Sequence, residues 1–121
     1  CLYYGAEYCM TGVDYPANRK CMVWDPVDQD QAMYQFVKQL IGLRHGKQKL
    51  LSEGQLEWLI EPTHPDVLKM TRRLGEQQLT AVFNAGQTAV SVASMRTPIL
   101  SEGVQQQTAA TIIEPDGFMI Y

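Results

Sequence analysis

Few side chains in this sequence could do chemistry, and they stand far apart. Cys1, Cys9 and Cys21 cannot all pair within one chain, and no two of them form a CxxC. They read as free thiols packed as small hydrophobes in a reducing compartment, hence a cytoplasmic location. Zinc favours short-spaced Cys or His pairs, whereas His45 and His64 are isolated from each other and from the cysteines. Nothing is spaced as a compact pair of carboxylates or a Cys–His couple, so a small independent enzyme is not expected. The expectation is no catalytic residue, no metal and no cofactor.

The elements that would position any site are easier to read. Cys1, Leu2, Tyr3 and Tyr4 form a short apolar run ending at Gly5. Such a run resembles a buried parallel strand that needs partners on both sides. This suggests the C-terminal piece of a larger protein. A loop follows, GVDYPANRKCMVW, whose Gly12, Asp14, Pro16 and Asn18 are turn formers.

From 28 to 44, apolar Met33, Phe36, Val37, Leu40, Ile41 and Leu43 recur at helical spacing. Asp25-Pro26 offers a cap and a tolerated first-turn proline. Asp28 and Asp30 suit the positive end of the helix dipole, and Arg44 and His45 the negative end. Gly46 is expected to stop the helix in a left-handed conformation, with a short helical turn near 47–51 before Gly54. Short runs rich in Val, Ile, Thr, Leu and aromatics then fall at 55–61, 67–74, 78–84, 88–93, 108–113 and 118–121. Turn signals separate them, among them Pro62 with His64-Pro65-Asp66, Gly75, Ala85-Gly86 and Pro115-Asp116-Gly117. Residues 101–107, with three consecutive glutamines, read as an exposed loop. This rhythm is that of an antiparallel sandwich or barrel.

A length of 121 residues suits one domain, or one small domain with a remnant of another. Hydrophobic residues at 45% and charged residues at 19% support a packed core rather than disorder. A net charge of −3 argues against nucleic acid as a partner. No apolar run approaches the ~20 residues a membrane helix needs, so no membrane partner is expected.

The strings CLYYGAEYCMTG, PANRKCMVWD, QD…FVKQLIGLRH and the closing IEPDGFMIY resemble the C-terminal part of alpha-amylase-family glycoside hydrolases. RKCMVWD points to the neopullulanase, cyclomaltodextrinase and maltogenic amylase branch. The resemblance implies a mainly β fold with one long helix. Residues 1–52 would be a remnant of the catalytic (β/α)8 barrel: its eighth strand, the mouth loop and its eighth helix. Residues 53–121 would be the C-terminal domain, an antiparallel Greek-key β-sandwich. The family's aspartate nucleophile and glutamate acid/base lie on earlier barrel strands, so the chain alone is expected to lack glycosidase activity. Retaining hydrolysis needs two carboxyls about 5 Å apart on a rigid scaffold.

The mouth loop is where the resemblance implies contact with substrate. Arg19 matches the family's sugar-binding arginine, with Pro16 and Asn18 in step. A guanidinium suits the task because its fixed fork of donors engages sugar oxygens while pairing with a carboxylate. Tyr15 stands where the family has aspartate, and Asp14 precedes it by one residue and could reach the same sugar. Tyr15, on the loop tip, is the best candidate for stacking on a sugar ring. Ala6 replaces a family aspartate in YYGDE, and Glu7 is expected to play a supporting role. Trp24 and Trp58 are expected to pack internally, and the helix stripe to be a docking face.

Two functional classes follow. One is a non-catalytic structural segment of a starch- or maltodextrin-degrading enzyme, whose partners are the missing barrel and the enzyme's glucan. The other is a stand-alone carbohydrate-binding module for maltooligosaccharides. Without the barrel, residues 1–44 would expose an apolar patch and a bare strand edge, which favours a homodimer through that segment.

Overall fold

Two aspartates, five residues apart, decide where the long helix starts. Asp25 Oδ1 accepts the Val27 N–H at 3.1 Å and opens a 3-10 turn, Pro26–Asp28. Gln29 then returns to extended geometry. Asp30 Oδ1 accepts the Met33 N–H at 2.9 Å and caps helix α1, Gln31–Gly46. The helix therefore begins three residues after the expected position 28, because the second cap captures the α-helical N-terminus. Gly46 is not the left-handed stop foreseen for it: it is the last helical residue, and Lys47 (φ −120°, ψ 23°) turns the chain directly into helix α2, Gln48–Glu53.

The computed structural model describes residues 2–93 and 96–121, and only the backbone of Glu61, so Cys1 lies outside it. The chain forms two compact units, one ending at Gly46 and the other Lys47–Tyr121.

In the first unit, Leu2–Tyr4 is not a strand. Gly5 adopts φ 80° and opens a 3-10 turn, Ala6–Tyr8. The turn is closed by Ala6 N–H to Tyr3 O at 3.1 Å and Met10 N–H to Gly5 O at 3.0 Å. A strand is stable only with a neighbour to share its ladder, and none of the described strands takes residues 2–4 into its ladder. Helix α1 carries Met33, Phe36, Val37, Leu40 and Leu43 half-buried, leaves Ile41 exposed, and buries no residue fully. Tyr34 stacks on Tyr8 with ring centroids 5.1 Å apart.

The second unit is an antiparallel sheet. Its strands are β1 (Gln55–Glu61), β2 (His64–Leu74), β3 (Gln77–Asn84), β4 (Val90–Val92), β5 (Leu100–Gln106) and β6 (Thr111–Ile120). Hydrogen bonds join all six in the order β1-β2-β3-β6-β4, with β5 also on β6. The mainly β architecture is as expected, with three differences. Pro65 and Asp66 lie within β2, not in a turn. The register jumps from Ile60–Leu68 to Glu61–His64, so Pro65 falls in a bulge where its missing N–H costs no ladder bond. Residues 101–106, expected as loop, pair with β6 as β5.

The third difference is that Pro115-Asp116-Gly117 does not separate two strands. It is a bulge inside β6, with Asp116 at φ 57°. Between the pairs Glu102–Phe118 and Val104–Ile113, Gly103 alone faces the four residues 114–117. A Cβ on Gly103 would sit 3.2 Å from Gly117 Cα, so two glycines let the backbones meet there. The two halves of β6 consequently serve different neighbours: Thr111–Ile113 lies beside β4, and Phe118–Ile120 beside β3.

The core sits across that bent strand. Val67, Val82, Val90, Ile113 and Met119 form one cluster, and Ile113 is fully buried. Each such side chain contributes ~1.5–3 kcal/mol when withdrawn from water. Leu50 of α2 is also buried, and Arg72 Nη1 donates to Gly54 O at 2.7 Å. Buried polar groups are paired. Thr71 and Thr80 share a hydroxyl contact of 3.3 Å. Asn84 Nδ2 donates to the backbone oxygens of Thr88, Ile113 and Glu114 at 2.9, 3.0 and 3.1 Å.

Candidate functional site

The loop between Gly12 and Lys20 is shaped by its own backbone. Asn18 N–H donates to Asp14 O at 3.1 Å and Arg19 N–H to Pro16 O at 2.9 Å, forming a 3-10 turn, Ala17–Arg19. The Tyr15–Pro16 peptide is cis. Gly12 is required by this fold-back, since a Cβ there would lie 2.6 Å from Ala17 O. The Tyr4 hydroxyl donates to Lys20 O at 3.0 Å and ties the far end of the loop to the N-terminal turn.

Between loop and turn lies a cleft of about 410 Å³, lined among others by Tyr3, Tyr4, Gly12, Asn18, Arg19 and Lys20. Tyr3 and Tyr4 hold their rings 4.5 Å apart. The Tyr4 phenol is held above its ordinary pKa, chiefly by the neighbouring Tyr3 hydroxyl and next by desolvation. The Arg19 guanidinium lies 5.4 Å from the centroid of the Tyr15 ring. At an exposed site such a cation–π contact is worth ~0.5–1 kcal/mol, which favours one placement of a long side chain without removing its donors.

Arg19 and Tyr15 are thus brought together at the loop tip, with Tyr15 74% exposed. Asp14 anchors the same turn through its carbonyl and is exposed. The arrangement offers cationic donors and aromatic faces to a neutral or anionic ligand. Among the described residues lining the cleft there is no carboxylate to act as acid or nucleophile.

Other placements correct the sequence reading. Trp24 is 80% exposed and Trp58 56%, so neither packs internally as expected. Trp24 sits in an irregular segment and Trp58 on β1, the end strand of the sheet, opposite Met70. Cys9 and Cys21 are free but exposed, not packed. Tyr3, Tyr4 and Lys20 line the cleft although the sequence singled out none of them for it. Reading residues 1–4 as a buried strand hid the two tyrosines. Glu7 does not reach the cleft; with Tyr34, Val37, Lys38 and Ile41 it lines a separate groove of about 490 Å³ along α1. Beside it the Tyr8 phenol is raised by desolvation, then by Tyr34 and Glu7.

No family model matches the chain. It is 44% identical over 86 residues to the intracellular maltogenic amylase of Bacillus subtilis (strain 168), an alignment covering 71% of this chain and 15% of that protein. The cyclomaltodextrinase of Geobacillus thermopakistaniensis (strain MAS1) is 31% identical over 134 residues, covering 100% of this chain and 22% of the relative. The chain belongs to the alpha-amylase family. It corresponds to the C-terminal part of the maltogenic amylase, cyclomaltodextrinase and neopullulanase enzymes. Solved structures agree at the level of fold. The maltogenic amylase from S. marinus superposes with TM-score 0.71 at 20% identity, covering 98% of this chain and 16% of that one. The debranching enzyme from Nostoc punctiforme gives TM-score 0.70 at 22% identity, covering 98% and 27%. Among the described residues no helix is long and apolar enough to cross a membrane.

Proposed function

We propose that this chain is the non-catalytic C-terminal segment of a hydrolase acting on alpha-glucosidic bonds, with residues 1–52 as the last unit of the catalytic barrel and residues 53–121 as a Greek-key sandwich. The observation that carries this reading is the combination of 44% identity with coverage of only 15% of the relative. The carboxylates of a retaining mechanism belong to the remainder of such an enzyme. In it, Arg19 donates to glucan hydroxyls, Tyr15 stacks on a ring, and Asp14 reaches the same sugar.

The first unit supports the reading. Gly5 is the only buried residue among its described residues, and Leu2, Tyr3, Tyr4 and Ile41 stay exposed. In the whole enzyme the rest of the barrel covers this surface. In isolation a second copy covers it through residues 1–44. A cytoplasmic location accords with a relative described as intracellular.

Detection in source cells with an antibody to this segment tests the proposal directly. A band several times heavier than 13.7 kDa is expected, together with no release of reducing sugar from cyclodextrin or pullulan by the 121-residue chain. In the whole enzyme, Arg19→Ala should raise KM for maltooligosaccharides several-fold and leave kcat nearly unchanged. Hydrolysis by the chain alone, persisting through purification, would overturn the assignment. The exposed Trp24 and Trp58 favour one second reading, a stand-alone maltooligosaccharide-binding module. That reading requires a cellular band at 13.7 kDa and saturable quenching by maltotetraose that Trp58→Ala abolishes.

A further inference from the structure

The second unit contains a cavity unrelated to the mouth loop. It measures about 380 Å³ and opens onto the core, with Val67, Val82 and Met119 as its buried floor. Its polar side-chain lining includes His64 and Lys69 of β2 and Tyr121, whereas Ser91, between the core-facing Val90 and Val92, turns its side chain to the other face of β4. No acidic side chain lines it among the described residues.

A concave apolar floor with a few convergent polar groups is the usual form of a small-molecule site, and this volume falls near the lower end of the ~300–1,000 Å³ typical of such pockets. It suits one ring, not a chain of rings. We propose that this cavity binds a phosphorylated monosaccharide. The Lys69 ammonium supplies a point charge to the phosphate. The His64 ring can add an N–H donor in either protonation state, and the Tyr121 hydroxyl can both donate to and accept from sugar hydroxyls. The apolar C–H face of the ring rests on Val67, Val82 and Met119. Every class of group in the lining is used by such a ligand, whereas inorganic phosphate leaves the floor wet and a neutral sugar leaves Lys69 without its anion.

Calorimetric titration of the full chain with glucose 6-phosphate, glucose and inorganic phosphate tests the proposal. Glucose 6-phosphate should bind saturably and at least tenfold more tightly than either fragment. K69M, which keeps the aliphatic stem, should weaken binding tenfold or more with an unchanged circular dichroism spectrum. Y121F should weaken it several-fold, and K49M, at an exposed position on α2 outside the lining, should have no effect. Three results would each overturn the proposal: no saturable binding, equal binding of inorganic phosphate, or wild-type affinity in both K69M and Y121F.

Discussion

Asn84 is 2% exposed and holds three chain segments together, so replacing it measures what buried hydrogen bonding contributes to the sheet unit. Its Oδ1 accepts the Gly86 N–H at 3.0 Å, while Nδ2 lies within 3.1 Å of the Thr88, Ile113 and Glu114 carbonyls. Asn84→Ala strands the buried Gly86 N–H and the Ile113 carbonyl, whereas the exposed Thr88 carbonyl regains water. An unmet buried group costs ~1–3 kcal/mol, so two of them predict a loss of ~2–6 kcal/mol. A small domain loses ~1 kcal/mol of stability per molar urea, which places the midpoint ~2 M or more below that of the parent.

Asn84→Asp gives a sharper test. The acceptor for Gly86 is kept, but a carboxylate now faces three carbonyl oxygens, and this disfavours its ionised form. The introduced carboxyl therefore has a folded pKa above its unfolded value. Its deficit relative to the parent shrinks as pH falls toward ~4, the unfolded aspartate value, and grows as pH rises through the folded pKa. Urea unfolding followed by far-UV circular dichroism at pH 7 and pH 4 reads both effects. An Ala variant within 0.5 kcal/mol of the parent, or an Asp deficit independent of pH, would refute the reasoning.

Two further outcomes follow from the same geometry. Gly103→Ala places a side chain at φ 60° and 3.2 Å from Gly117 Cα, so it should cost at least the ~1–2 kcal/mol of the left-handed penalty, read as a lower urea midpoint. Cys9 and Cys21 are exposed, so under native conditions both should react with Ellman's reagent as fast as in urea; a tenfold lag at either would mean that the thiol is covered.

Local signals in the sequence located elements well where the chain's own neighbours settle them. The run 55–61 is β1 without adjustment, because alternating bulky residues and a following proline are local properties. The helix also stands, since its apolar spacing lies within one segment; its ends moved, with Asp30 and not Asp25 capping it and Gly46 inside it. The loop tip holding Arg19 and Tyr15 was legible from its turn formers and from family resemblance, but the cleft beside it was not, because Tyr3 and Tyr4 come from a different segment.

By itself the sequence determined family, the mainly β class and a long helix ahead of the strands, because these depend on residue type, spacing and local backbone preference. Tertiary structure alone decided which strands are neighbours and which side chains are covered. Polar residues 101–106 become a strand because β6 supplies the ladder. Pro115-Asp116-Gly117 becomes a bulge because β5 continues on both sides of it. Leu2–Tyr4, apolar enough for a strand, belong to none of the described strands, because none of those strands adds them to its ladder. A ladder hydrogen bond needs two partners, and a single segment encodes only one of them.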